Sequence, residues 1–263
     1  MLDFLKESTF RANDVFVRAL AILKKHYISV AGLCFLLFVT NNLSTYLALY
    51  LSELTGSGVR AVLLLVFVIL FFGLQLVLIK RAILLANDIE KVPMMNYVPS
   101  TKQFVHFILG LLSYSLITGV VYLICSIICM PLLYMGVGLD TITYEVNPLL
   151  TAIIMMFILV RISFFPFFIV ENSFSFVRSI KLSIAFTKGN TINLLILMAL
   201  LASTYMGQVF FEYMSYSIMA KIMSAINTFV IIPSVSLVLA VAYVGMIKEY
   251  KGSYDPELLK NIL

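Results

Sequence analysis

Residues 59–79 read Val-Arg-Ala-Val-Leu-Leu-Leu-Val-Phe-Val-Ile-Leu-Phe-Phe-Gly-Leu-Gln-Leu-Val-Leu-Ile, with Arg60 near the start and Gln75 near the end as the only strongly polar side chains. A helix rises about 1.5 Å per residue, so about 20 apolar residues cross the ~30 Å hydrocarbon layer of a bilayer. A run of this length that is apolar all round has no face to turn to water, and lipid is its natural solvent. Five further runs repeat the pattern, at roughly 27–51, 104–133, 149–170, 191–212 and 225–247. The chain therefore reads as an all-α polytopic bundle of six transmembrane helices, and 1–263 as a single membrane domain.

Composition agrees. The 263 residues are 62% hydrophobic and 12% charged, against ~45–50% apolar and ~25% charged in soluble domains. The net charge of +5 would suggest nucleic acid in a soluble protein. Here the basic residues flank apolar runs, where anionic headgroups lie, so membrane lipids are the expected partner and nucleic acid is not. Cys34, Cys125 and Cys129 all fall inside apolar runs, which argues against a disulfide framework. No cleavable signal is expected, because Asp3, Glu7, Arg11 and Asp14 precede the first long run.

Lys and Arg give the orientation, since positive charge near span ends resists translocation. Sixteen fall in the N-terminal segment, the second and fourth connections and the tail; the remaining connections hold only Arg60 and Lys221, which accounts for all eighteen. Both termini are expected in the cytoplasm of a bacterial inner membrane. Tyr46, Tyr50, Tyr134, Tyr144, Tyr213 and Tyr216 would form the outer interfacial belt.

The inner connections mix apolar and charged residues, as amphipathic interface helices do. Residues 13–25 are one such stretch. Another is 173–188, where Ser175, Ser179, Ser183 and Thr187 recur every four residues beside Arg178 and Lys181. Its expected state is a helix resting on the membrane or packed against the bundle, with a headgroup-binding face as the second possibility. Lys25, Lys102 and Lys188 each precede a span after such an approach, which suggests three hairpins of similar build. The third run is long enough to tilt or to be broken near Pro131, and Pro233 should kink the sixth unless a neighbour satisfies the freed carbonyl.

Chemistry is sparse. No carboxylate sits at the centre of a span, which counts against a proton relay. Neither His-Glu-x-x-His, Gly-x-Ser-x-Gly nor a Walker loop is present, so no catalytic, cofactor or metal residue is assigned. Arg161, beyond the midpoint of the run from Pro148 to Val170, is the one ionisable residue that the sequence could bury; it either snorkels to the headgroups or faces the bundle to pair with Glu171, Asp88 or a lipid phosphate. Arg161, Arg178, Lys181 and Lys188 are the candidate lipid contacts. Asn41, Asn42 and Gln75 should face other helices, since lipid cannot satisfy them; they are expected as packing contacts, with the lining of a polar cavity as the alternative. Ala199, Ser203 and Gly207 give the fifth span a small-residue face.

The stretch Pro166-Phe-Phe-Ile-Val-Glu171-Asn172, then Arg178-Ser179-x-Lys181-x-Ser183 and Thr187-Lys188-Gly189-Asn190, resembles the central signature of a bacterial family of six-span membrane proteins. That family includes the membrane domain fused to some glycerophosphodiester phosphodiesterases. The resemblance implies a six-helix bundle in an envelope or lipid context and transfers no catalytic residue. Ile184 departs from it, standing where the family often has an aromatic. The expected function is that of a non-catalytic inner-membrane protein acting through lipid or through a partner membrane or cytoplasmic protein. The alternative is a transporter or permease-like component for a small or hydrophobic substrate, which a cavity lined by Asn41, Asn42, Gln75 or Arg161 would favour.

Overall fold

The computed structural model describes residues 12–54, 57–89, 97–187 and 190–252. Lys188 lies outside them. The described chain is helical, and six segments are long and apolar enough to cross a membrane: Asn13–Ser44, Ala61–Ala86, Thr101–Met135, Leu139–Asn172, Thr191–Tyr213 and Ser217–Ile247. The chain is a polytopic membrane bundle.

Helix α1 (Ala12–Leu54) absorbs the amphipathic stretch 13–25 into the first span, with a kink at His26, where φ is −119° and ψ is 22°. Val15, Ala19 and Leu23 sit on one face of that stretch and are buried in the core, which is why the segment packs along the bundle. Helix α2 (Ser57–Ala86) runs past Lys80 and Arg81. Helix α3 (Thr101–Cys129) opens with a capping box: Ser100 Oγ accepts from the Gln103 N–H, and Gln103 Oε1 accepts from the Ser100 N–H. It ends as Pro131 foretells, in a 3₁₀ turn Met130–Met135 that closes on Gly136 with φ 85°.

The fourth span differs most from its sequence reading. The run from 149 to 170 is apolar but for Thr151, Arg161 and Ser163, yet the helix breaks between α4 (Asn147–Ile162) and α5 (Phe165–Asn172). Pro166 occupies the first turn of α5, where a missing N–H is harmless; carried into α4 it would clash with the Ile162 carbonyl. Ser173 then turns the chain with φ 55° into α6 (Phe176–Thr187). Helices α7 (Thr191–Tyr213), α8 (Ser217–Ile226) and α9 (Ile232–Gly252) follow among the described residues. A π-helical turn, Asn227–Ile231, joins α8 to α9 ahead of Pro233. The carbonyl freed by that proline, on Phe229, accepts a hydrogen bond from Tyr27 Oη at 2.9 Å, the neighbour's rescue that a mid-span proline requires.

The continuous core gathers Val15 to Leu37 on α1, Leu76 to Ala86 on α2, Phe107 on α3, Val160 to Val170 around the break, and Leu237 to Met246 on α9. Among the described residues it takes none from 38–75, 108–159 or 198–236. One half of the bundle is thus packed around its own side chains. The other half is three helical hairpins with apolar flanks open to lipid, as on α2 at Val62, Leu65 and Ile69.

Candidate functional site

A set of hydrogen bonds ties the packed half together. Arg18 Nη2 donates to the Ala86 carbonyl at 3.3 Å, where α2 ends, and stands 3.6 Å from Asp88. Arg81, only 9% exposed, donates to Ser29 Oγ at 3.1 Å and to Tyr97 Oη at 2.7 Å. Gln103 Nε2 reaches the Val170 carbonyl at 2.9 Å and Ser173 Oγ at 3.1 Å, fastening the start of α3 to the end of α5. Tyr243 donates to Glu171 Oε2 at 2.5 Å and is stacked among Phe164, Phe167 and Phe168 with ring centroids 5.1 to 6.2 Å away. These bonds tie the first span to the second, and the fourth to the third and the sixth.

The helix break is mended from α6. Ser183 Oγ accepts from the Phe164 N–H at 3.1 Å and donates to the Arg161 carbonyl at 2.9 Å. Thr187 Oγ1 also lies 3.1 Å from that carbonyl. Ser179, Ser183 and Thr187 are fully buried and Ser175 is exposed. The hydroxyl stripe therefore faces the bundle, and its Ser183 and Thr187 supply backbone partners that α4 and α5 lose where they part, while Ser179 Oγ is buried without a protein partner.

Arg161 is half-buried and its Nη1 donates to Thr191 Oγ1 at 3.1 Å. Glu171, one partner considered for it, is engaged by Tyr243. Arg178 is half-buried with its guanidinium carbon 4.5 Å from the centre of the Phe174 ring, a cation–π contact. Its Nε is buried and meets no protein acceptor. Lys181 is exposed. In the other half, Asn42 Nδ2 donates to the Phe38 carbonyl of its own helix at 2.8 Å, Asn41 is exposed and Gln75 is half-buried. Gly207 lies against Met223 of α8, whereas Ala199 and Ser203 are exposed.

Charge follows the same division. At the packed end stand Arg18, Lys24, Lys25, Lys80, Arg81, Lys102, Arg161, Arg178 and Lys181, against Asp14, Asp88 and Glu171. At the opposite end the described ionisable groups with placed side chains are Asp140, Glu145, Glu212 and Lys221, all exposed. Sequence reading did not single out Gln103 or Arg81 as bonding residues. The Ser-x-x-Gln spacing before an apolar run is the signal for the first; Arg81 follows a long apolar run and carries no comparable mark. Comparison with models of protein families, with curated proteins and with solved structures finds no match.

Proposed function

We propose that this is a non-catalytic protein of the bacterial inner membrane, with both termini in the cytoplasm, that works by engaging anionic lipid headgroups at its basic end. The observation that carries the reading is Arg178. Its half-buried guanidinium is held on the Phe174 ring, and the exposed Lys181 lies three residues on along the same helix. A guanidinium fixed by stacking keeps its fork of donors oriented for a phosphate. The surrounding excess of cations gives the same end an attraction for anionic leaflets, at ~1 kcal/mol per basic residue near the surface. The packed half beneath would act as a rigid platform, since its buried polar groups largely bond to one another.

Mass spectrometry of lipid retained by the purified protein tests this reading. The wild type should retain an anionic phospholipid that Arg178→Gln with Lys181→Gln loses, while thermal stability in detergent stays near wild type. Equal retention by both proteins would refute it.

A further inference from the structure

Away from the basic end, the seam between α3 and α4 buries Cys125 and Cys129 on one side and Asn147, Thr151 and Met155 on the other. Asn147 Nδ2 donates to Ser126 Oγ at 2.7 Å, and the Ser126 hydroxyl donates to the Tyr122 carbonyl at 2.9 Å. A serine has one proton to give, so Ser126 can only accept from the amide, which fixes Nδ2 toward it and Oδ1 away. That Oδ1 is buried, in a residue 2% exposed, and no protein group donates to it.

One turn further along α4, Thr151 Oγ1 is also buried without a protein partner, in a residue 6% exposed. Thr40, Thr118, Thr191 and Thr228 each turn Oγ1 onto the carbonyl four residues back. Thr151 does not. Cβ atoms four residues apart on a helix stand ~5–6 Å apart, so the two side chains are neighbours on one face of α4.

We propose that the α3–α4 seam binds a small hydroxyl donor, water or a lipid glycerol hydroxyl, between Asn147 Oδ1 and Thr151 Oγ1. Polar seams of this kind hold a bridging molecule, whereas apolar cavities stay dry. Access is short, because Asn147 follows Tyr144, an exposed tyrosine of the interfacial belt, by three residues. The asparagine half of the arrangement recurs on the last span. Asn227, 8% exposed, donates through Nδ2 to Gln208 Oε1 at 2.9 Å. Gln208 is held in that sense because its Nε2 donates to the Glu212 carboxylate at 2.9 Å. Asn227 Oδ1 is thereby left buried without a protein donor, as at Asn147. Both asparagines border a π-helical turn followed by a proline: Ile142–Val146 before Pro148, and Asn227–Ile231 before Pro233. The proposal stands independently of headgroup binding at the other end.

Solid-state NMR on the full chain in bilayers, with magnetisation started separately from water and from deuterium-edited lipid glycerol, is the test. Thr151 and Asn147 side-chain signals should rise at the shortest mixing times from one of the two sources, ahead of Thr187, which is also buried but bonded within the protein. Rise from water identifies water as the donor, and rise from glycerol identifies the lipid. Thr151→Val should delay the Asn147 signal. If neither source reaches Thr151 and Asn147 ahead of Thr187 in the wild type, the proposal is overturned, whatever the variant does.

Discussion

Replacing Ser183 by alanine removes one hydroxyl from the mended break and leaves two backbone groups to be accounted for. The Phe164 N–H loses the oxygen at 3.1 Å to which it donates and is left unsatisfied inside the core, since Phe164 is fully buried. The Arg161 carbonyl loses the Ser183 donor, and the Thr187 hydroxyl, whose shortest acceptor is the Ser183 carbonyl at 2.9 Å, can turn its one proton to it at 3.1 Å. An orphaned buried donor costs about 1–3 kcal/mol, while single interhelical bonds in membrane proteins average about 0.6 kcal/mol because the unfolded state in lipid also finds partners. The expected loss is about 1–2 kcal/mol. Thr187→Val alone should cost about 0.5 kcal/mol, because Ser183 still serves the carbonyl. Together the two should exceed the sum of the singles by about 1 kcal/mol, since only the double variant strips the Arg161 carbonyl of both donors. Reversible unfolding in mixed micelles, with Ser175→Ala at the exposed end of the stripe as control, gives all four values. A Ser183→Ala protein as stable as the control, or strictly additive losses, would refute the claim that α6 hydroxyls replace the missing helix bonds.

Gln103→Leu should lower stability by about 2 kcal/mol in the same assay, because it removes the reciprocal cap and the reach to Val170 and Ser173 together. Gly110→Ala places a Cβ against the Phe165 ring, so the α3–α5 contact must shift at a cost of about 1–3 kcal/mol, seen as a lower melting temperature. Tyr27→Phe should destabilise by about 0.5–1 kcal/mol, by exposing the Phe229 carbonyl that Pro233 frees; the same substitution in a Pro233→Ala background should cost less.

Six spans were legible from hydropathy alone because lipid leaves a chain few alternatives to the helix. The break after Ile162 was not, since Ser163, Phe164 and Phe165 keep the run apolar while the backbone departs from the helix, and the partners that permit it lie about twenty residues later on α6. The stripe of Ser179, Ser183 and Thr187 was visible as a pattern; its direction depended on those unpaired backbone groups, which no periodicity reports. Pro233 was read correctly as a site needing a donor, but Tyr27 is some two hundred residues away in sequence. Arg161 illustrates the limit for the candidate site: its depth could be argued from the sequence, and its bond to Thr191 could not.

Sidedness labelling in cells is the most direct measurement of the account's central claim, a six-span bundle with its basic end inside. In a background with Cys34, Cys125 and Cys129 replaced by alanine, single cysteines are placed at Lys102 and Lys181 on one end and at Tyr144 and Tyr213 on the other. A membrane-impermeant maleimide should label the Tyr144 and Tyr213 positions in intact cells, and the Lys102 and Lys181 positions only after permeabilisation. Labelling of Lys102 or Lys181 from outside, or of all four from one side, would contradict it.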